Sequence, residues 1–128
     1  MAIGRARAAR AAMDLSDGLA DALRQVAAAS SVGVKIDADL LPIDRCARDW
    51  WSSRGIDPVM AALKGGDDYE LLFAVPGKGR GALRSVARHV SDPLTKIGVF
   101  TKDPGELAIE RAGRVNSLPE GFEHFANR

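Results

Sequence analysis

The sequence predicts an α/β protein of the α+β type, in which a mixed β-sheet is layered with helices. Segments with the apolar spacing of helices alternate along the chain with short β-prone segments, a pattern typical of helices packed on a sheet. A chain of 128 residues is also long enough to bury roughly two thirds of the surface that it exposes when unfolded. We therefore treat residues 1–128 as a single domain.

The first elements are a helix, a strand and a second helix. The first thirteen residues contain three arginines and no acid, and we expect an ordinary helix there rather than a targeting peptide. A buried strand opens the stretch AAMDLSDGLADAL, residues 11–23. Apolar spacing after it, with a stop at Gly33, predicts a helix over residues 18–31, and VKID then forms a short strand.

Two shorter helices are expected in the middle of the chain. The first ends at Gly55 and is marked by an apolar stripe that consists of Ile43, Cys46, Ala47, Trp50 and Trp51. The two tryptophans are adjacent, so only one of them can face fully inward. The second is expected to begin at Pro58, because Asp57 is a typical N-cap residue and proline is favoured at the first helical position. It ends at KGG.

The second half of the chain predicts mainly strands. DYELLFAV, residues 68–75, is continuous and β-prone, as in a strand covered on both faces. LTKIGVF forms a later strand, and ELAIERAGRVNSL alternates about residues 112 and 113, which indicates a terminal hairpin. The helix between these strands is marked by Leu83, Val86, Ala87 and Val90.

Composition excludes several classes of function. A net charge of +1 gives no general attraction to nucleic acid or to an anionic membrane. No apolar run approaches the roughly 20 residues of a membrane span. The single cysteine, Cys46, excludes an internal disulfide and fits a reducing compartment, so we expect a cytoplasmic protein.

An acidic strand-to-helix junction, MDLSDG, is the first candidate site. Strand alternation puts Asp14 and Ser16 on one side of the chain, while Asp17 and Gly18 lie where the helix begins. A helix N-terminus attracts phosphate, and Mg²⁺ would relieve the repulsion between that phosphate and the carboxylates. The alternative is that Ser16 or Asp17 only caps the helix, which leaves Asp14 unexplained.

A second acidic segment, GGDDYELLF, repeats the theme of glycine, acid and strand. The glycines permit close approach of backbone to a ligand, and Asp67 and Asp68 could bind a cation or the polar end of a substrate. If adjacent acids face a cleft, each raises the pKa of the other, which favours a cationic partner. The alternative is a glycine turn in which Asp bonds its own backbone.

Four motifs in order, AMDLSDGLADAL, GGDDYELLF, TKIGVF and GFEHF, resemble the C-terminal half of thiamine-monophosphate kinase. That family belongs to the aminoimidazole ribonucleotide synthetase-like superfamily, whose ATP-using members are built from two α/β domains. The resemblance implies the fold of the superfamily's C-terminal domain. It also implies ATP- and Mg²⁺-dependent phosphorylation of thiamine monophosphate to thiamine diphosphate, without a general base.

The same resemblance implies roles for five residues. Asp14 and Asp17 match metal-binding positions, and Ser16 matches a position that contacts ATP. Asp67 matches a substrate-pocket position that is usually Glu, one methylene longer, and Phe122 matches an aromatic residue that packs on the thiamine moiety. The family's N-terminal domain, which supplies most of the metal-binding aspartates and the dimer interface, has no counterpart in this chain. We therefore expect a homodimer for the full-length protein, and little or no kinase activity for the isolated chain.

Two other functions remain open at this stage. One is a stand-alone module that binds nucleotide or a partner protein without catalysis. The other is a domain of a different ATP-dependent enzyme of the same superfamily, which would act on another acceptor.

Overall fold

The computed structural model describes residue 3 and residues 7–120 of the chain. Its helices and strands confirm the predicted mixed α/β class, and two short 3-10 segments, Ala38–Leu40 and Gly77–Gly79, connect them. In chain order the elements are β1 (Ala11–Asp14), α1 (Leu19–Ser30), β2 (Gly33–Asp37), α2 (Arg45–Ser53), α3 (Pro58–Lys64), β3 (Leu71–Ala74), α4 (Arg80–Ala87), β4 (Gly98–Thr101), β5 (Leu107–Arg111) and β6 (Arg114–Ser117).

Helix α1 is the centre of the fold and contacts β1, β3, β2 and α3. Its sequence is rich in alanine and unbranched side chains, which favour a helix. The buried face includes Leu19, Leu23 and Ala27, and the helix ends at Ser31, which has a left-handed φ of 52°. The predicted helix is confirmed. None of the helices in the described ranges is long and apolar enough to cross a membrane.

A four-stranded sheet with the order β4-β2-β5-β6 lies on one side of the core. It is mixed, as predicted, because β2 runs antiparallel to β4 and parallel to β5. Val34 and Ile36 are each 1% exposed on its inner face. On its outer face the Lys35 Nζ atom lies 2.8 Å from the Glu110 Oε2 atom, so an ion pair links neighbouring strands on that face.

The predicted terminal hairpin is confirmed. Strands β5 and β6 pair antiparallel with Arg111 opposite Arg114. Ala112 and Gly113 form the two-residue turn with φ angles of 49° and 73°. The two-residue turn that best fits the twist of a hairpin requires a positive φ angle at both positions.

A separate two-stranded sheet is formed by β1 and β3, which pair antiparallel with Asp14 opposite Leu71. The sequence did not predict that these strands would leave the mixed sheet. The prediction of a strand over residues 68–75, covered on both faces, was wrong in length and in burial. Only Leu71–Ala74 is a strand, and Leu72 is 8% exposed whereas its neighbour Leu71 is 60% exposed. Positive φ angles at Asp67 and Tyr69 delay the start of the strand.

Helices α2 and α3 form as predicted. Asp57 caps α3, because its Oδ1 atom accepts a hydrogen bond from the Val59 N–H at 3.0 Å, and Pro58 takes the first helical position. Trp51 is half-buried while Trp50 is 51% exposed, as expected for adjacent positions on one helix. The guanidinium of Arg54 lies 3.9 Å from the centre of the Trp50 ring.

Three predicted boundaries differ from the structure. Helix α4 ends at Ala87, before Val90. In LTKIGVF only residues 98–100 belong to β4, because the paired strand β2 ends at Asp37, whose N–H donates to the Ile97 C=O at 2.9 Å. The predicted N-terminal helix does not continue into β1, since residues 7–10 form a turn and a bend, and most of its remainder lies outside the described residues.

Helix α1 and both sheets contribute side chains to one hydrophobic core. Its fully buried large side chains come from the helices, from β2 and from the segment after β6: Leu23, Ile36, Leu63, Leu118 and Val34. Leu15 and Leu72 add the contribution of the two-stranded sheet. The start of α1 and the ends of the β1–β3 sheet are therefore held on the same core.

Candidate functional site

The acidic junction continues the alternation of β1 beyond the end of the strand. Leu15 is buried, whereas Asp14 and Ser16 are exposed on the opposite side of the chain, as the sequence predicted. The Leu15 N–H donates to the Glu70 C=O at 3.2 Å. The β1–β3 ladder is thus prolonged by one bond past Asp14, which fixes the direction of the two exposed side chains.

The helix start is built on a glycine. Gly18 is the N-cap of α1 with a φ of 93°, a conformation that other residues rarely adopt. A Cβ atom at position 18 would lie 2.6 Å from the Gly65 C=O. Because Gly18 holds the N-cap position, neither Ser16 nor Asp17 takes the place from which a side chain usually caps a helix. The capping interpretation therefore loses its main support.

The second acidic segment is bonded to the first. The Asp67 N–H donates to the Ser16 C=O at 3.1 Å, and a Cβ atom at position 66 would lie 2.3 Å from that same oxygen. Gly66 is therefore required for the approach of the two backbones. The two motifs, which are far apart in the sequence, therefore lie side by side, joined by the bond from the Asp67 N–H to the junction.

Negative charge accumulates where these segments meet. Asp14, Asp67, Asp68 and Glu70 are exposed, and Asp17 is half-buried. Partial desolvation raises the pKa of Asp68 above its ordinary value of 3.8, and the charges of Glu70 and then Asp67 raise it further. The mutual effect expected for adjacent acids is thus present at Asp68, although desolvation is the larger cause.

The donor chemistry fits a magnesium ion. Mg²⁺ prefers hard oxygen ligands, and it often takes only one or two carboxylates while retaining water and substrate phosphate. Asp14 and Asp17 supply two such groups beside the start of a helix. Among residues 7–120, however, no three His, Cys, Asp or Glu side chains are grouped closely enough to hold a metal ion. Of the described residues, no more than two such side chains are therefore available to one ion.

Two features of this region do not follow from the sequence pattern. The pattern predicts Glu70 within a buried strand, yet its side chain is exposed, its C=O accepts a hydrogen bond from the Leu15 N–H and its charge acts on Asp68. Tyr69 and Leu71 were also expected in a covered strand and are 97% and 60% exposed. The two glycines ahead of this segment were the available signal for an irregular start. Phe122, the predicted substrate contact, lies outside the described residues.

Comparison with known proteins shows the class to which the chain belongs. Residues 2–110 match the family model described as AIR synthase related protein, C-terminal domain. This match covers most of the chain, so the chain belongs to that family. The resemblance found in the motifs is confirmed.

Similar proteins within this family include thiamine-monophosphate kinases. The enzyme of that name from Escherichia coli K12 is 42% identical over 122 residues, which are 92% of this chain and 36% of the relative. The crystal structure of thiamine-monophosphate kinase from Stenotrophomonas maltophilia K279a superposes with a TM-score of 0.71 at 38% identity, covering 88% of this chain and 33% of that one.

A further similar structure is that of a complex with ligands. AaThiL complexed with AMPPCP and TMP is 30% identical to this chain, with a TM-score of 0.66 and coverage of 93% of this chain and 35% of that one. The chain thus spans about a third of the length of the relatives that it matches.

Proposed function

We propose that this chain is the C-terminal domain of an ATP-dependent kinase that phosphorylates thiamine monophosphate to thiamine diphosphate. It contributes part of the Mg-ATP site and part of the substrate site. The similar thiamine-monophosphate kinases support this assignment, as does the relative described with AMPPCP and TMP. Since the chain matches only about a third of those proteins, the activity belongs to the intact enzyme.

The observation that carries the proposal is the hydrogen bond between Asp67 and Ser16. Asp14 and Asp17 are the proposed metal ligands and Ser16 the proposed ATP contact, whereas Asp67 is a proposed substrate contact. Phosphoryl transfer requires donor and acceptor to lie side by side. A bond between the backbones that carry these two sets of residues supplies that proximity.

In this reaction the bond between the γ-phosphorus and the bridging oxygen of ATP breaks, and a bond forms from a phosphate oxygen of thiamine monophosphate to the γ-phosphorus. ADP takes the electron pair of the broken bond. The acceptor is already an anion, so no side chain has to remove a proton from it. Mg²⁺ neutralises charge between the two anions when bound. Asp14 and Asp17 would hold the ion, and Ser16 and Asp67 would orient the two reactants.

An N-terminal domain completes the site in our proposal. Four exposed carboxylates and one half-buried one belong to the two acidic segments, which also carry Tyr69 and Leu71, 97% and 60% exposed. Exposed apolar side chains next to an incomplete metal site are typical of a surface that another domain covers. We infer that the intact enzyme is a cytoplasmic homodimer and that this chain alone has little or no activity.

A fusion protein tests the proposal. The aligned third of the Escherichia coli relative is replaced by this chain, and thiamine diphosphate formation is measured with and without ATP and Mg²⁺. We expect product from the fusion and none from the chain alone. A matched fusion with Asp14→Asn and Asp17→Asn should bind ATP weakly and form little product. A folded fusion that binds ATP but never forms thiamine diphosphate contradicts the proposal.

The exposed Trp50 favours a second candidate, a module that binds a partner without catalysis. In that case the fusion would be inactive, and Trp50→Ala would abolish capture of the partner without changing the melting temperature. Activity of the fusion on an acceptor other than thiamine monophosphate would instead indicate another enzyme of the superfamily.

A further inference from the structure

Arg10 lies on the same exposed face of the two-stranded sheet as two residues of the candidate site. Along β1 and the residues that flank it, exposed side chains alternate with more buried ones, and the exposed set is Arg10, Ala12, Asp14 and Ser16. The Arg10 N–H donates to the Ala74 C=O at 2.8 Å, which adds a bond to the β1–β3 ladder at this end. The alternation of the strand therefore includes Arg10, which precedes β1 by one residue.

No bulky side chain of β1 stands between Arg10 and Asp14. Their Cα atoms are four residues apart, about 13 Å along an extended chain. Ala12, which lies between them on the same face, carries only a methyl group. Phe73 pairs with Ala12 on the neighbouring strand and is half-buried. A ligand with a chain of phosphate groups can therefore lie along β1 from Asp14 toward Arg10.

The two ends of this sheet carry opposite charge. The acidic segments form one end. The other end is basic, because the exposed Lys78 and Arg80 follow β3 and residues 71–91 contain no Asp or Glu. The turns that precede β1 and follow β3 pack together, since a Cβ atom at position 79 would lie 2.9 Å from the Ala8 C=O. The exposed face of β1 thus runs from an acidic end to a basic end.

The Arg10 guanidinium is available to a ligand. Its side chain is exposed, and none of the ion pairs found among the residues that the structure describes involves it. The neighbouring Arg80, by contrast, already donates from Nε to the Gly77 C=O at 3.2 Å. A guanidinium presents five donors in a planar fork that matches the oxygens of a phosphate group.

We propose that Arg10 binds a phosphate group of ATP held at the acidic junction. This inference rests on the proposed kinase function and adds a residue to its nucleotide site. When Mg²⁺ is bound, the carboxylates, the ion, the phosphates and the guanidinium follow one another along the face with alternating charge, so each group has a neighbour of opposite sign. Arg10 shares its strand with Asp14 and Ser16, the proposed metal and ATP contacts, which makes ATP rather than thiamine monophosphate its partner.

The first test measures binding without catalysis, in the fusion with the Escherichia coli relative. Titration calorimetry with Mg²⁺ gives the Kd of the ATP analogue AMPPCP and that of thiamine monophosphate for the wild type, Arg10→Met and Arg10→Lys. Met retains the aliphatic stem without the donors, so we expect the Kd of AMPPCP to rise about tenfold, with partial recovery in Arg10→Lys and no change for thiamine monophosphate. Unchanged AMPPCP binding, or equal weakening of both ligands, overturns the proposal.

Arg84→Met is the matched control. Arg84 is exposed on α4, and its loss removes the same charge from the molecule at another place. An equal effect of Arg84→Met on AMPPCP would show that only the general field matters, and would exclude the contact. The melting temperature of Arg10→Met should match that of the wild type, because the backbone bond to Ala74 does not use the side chain. If it falls, Arg10→Gln repeats the comparison with a shorter polar side chain.

The second test separates this role from the kinase function. In the active fusion, Arg10→Met should raise the KM for ATP about threefold to tenfold and leave the KM for thiamine monophosphate unchanged. A fusion that forms thiamine diphosphate with a KM for ATP that is indifferent to Arg10→Met contradicts the contact alone. A fusion that binds AMPPCP through Arg10 and never forms thiamine diphosphate contradicts the kinase function and supports the contact.

Discussion

The Asp67 N–H donates a hydrogen bond to the Ser16 C=O at 3.1 Å, and this one bond joins the two acidic segments of the chain. It uses backbone atoms of both residues, so the Ser16 hydroxyl and the Asp67 carboxylate take no part in it. The Leu15 N–H and the Glu70 C=O add a second bond beside it at 3.2 Å. The two distant segments are thereby brought together by backbone atoms, and this bond does not use the Ser16 hydroxyl or the Asp67 carboxylate.

Gly66→Ala should break this connection. The added Cβ would lie 2.3 Å from the Ser16 C=O, so one backbone must move, and we expect a loss of about 1–3 kcal/mol in the free energy of unfolding. Urea denaturation measures the loss, and exchange of the Asp67 amide locates it. Gly81→Ala is the control, because position 81 has open space around it and lies in α4, where alanine is favoured by up to about 1 kcal/mol. Equal stability of the two variants would contradict the close approach.

The regular elements could largely be predicted from the sequence because each depends on local signals. The Asp57–Pro58 start of α3 and the Ala112–Gly113 turn carry their geometry in the residues themselves. The start of β3 could not be predicted. There Tyr69 has a φ of 54°, a conformation that follows from the pairing of two distant segments rather than from its own preference. The exposure of Leu71 likewise depends on which strands pair.

The candidate site was predictable in its residues and only partly in its assembly. Asp17 and Asp67 are predicted as acids beside glycine, and Asp14 by its place in the alternation of the preceding strand. No spacing rule, however, indicates that the Asp67 N–H binds the Ser16 C=O, since about 50 residues separate them in the printed sequence. The exposure of Glu70 could not be predicted, because its apolar neighbours give the segment the pattern of a buried strand.

Asp68→Asn should stabilise the chain at neutral pH. Desolvation, followed by the charges of Glu70 and Asp67, raises the pKa of Asp68 in the fold above its ordinary value of 3.8. Ionisation therefore costs stability above the folded pKa, and the cost vanishes below 3.8, where the carboxyl is protonated in both states. Thermal melting from pH 3 to pH 7 checks this, and the gain of the variant should disappear at the acid end.

Two comparisons identify the cause of the Asp68 effect. Glu70→Gln should give a smaller gain of the same sign, because it removes one of the charges that act on Asp68. Mg²⁺ should raise the melting temperature of the wild type more than that of Asp68→Asn if the ion binds near these acids. A lower melting temperature for Asp68→Asn at pH 7 would show that its carboxylate has a favourable partner.

Asp57 combines two stabilising roles that substitutions can separate. Its Oδ1 atom caps α3 and its Oδ2 atom forms an ion pair with Arg111. The hydrogen bond with Arg111 is the largest cause that lowers the pKa of Asp57 below 3.8. Asp57→Asn should keep the cap and lose the pair, whereas Asp57→Ala should lose both and cost about 1 kcal/mol more.

The acid sensitivity of these variants follows from that lowered pKa. The ion pair contributes stability above pH 3.8, and this contribution is lost as the pH falls through the folded pKa. The difference between wild type and Asp57→Asn in urea denaturation should therefore shrink on acidification. Arg111→Met should reproduce the behaviour of Asp57→Asn, since it removes the other partner. A difference that stays constant down to the acid limit would exclude the ion pair as its source.

Asp14→Asn and Asp17→Asn provide the sharpest test of the proposed metal role. Asparagine is nearly isosteric and retains an oxygen, but it removes the charge that attracts Mg²⁺. In the active fusion we expect each variant to lower kcat about tenfold or more and to raise the Mg²⁺ concentration needed for half-maximal activity. For Asp14→Asn the melting temperature without Mg²⁺ should stay close to that of the wild type, because the side chain is exposed and Gly18 holds the N-cap of α1. Asp49→Asn is the control, since Asp49 pairs only loosely with Arg45 at 3.9 Å on the surface of α2. If the aspartate variants lose stability in proportion to activity, the junction serves the fold. If both keep full activity and an unchanged Mg²⁺ requirement, the metal lies elsewhere.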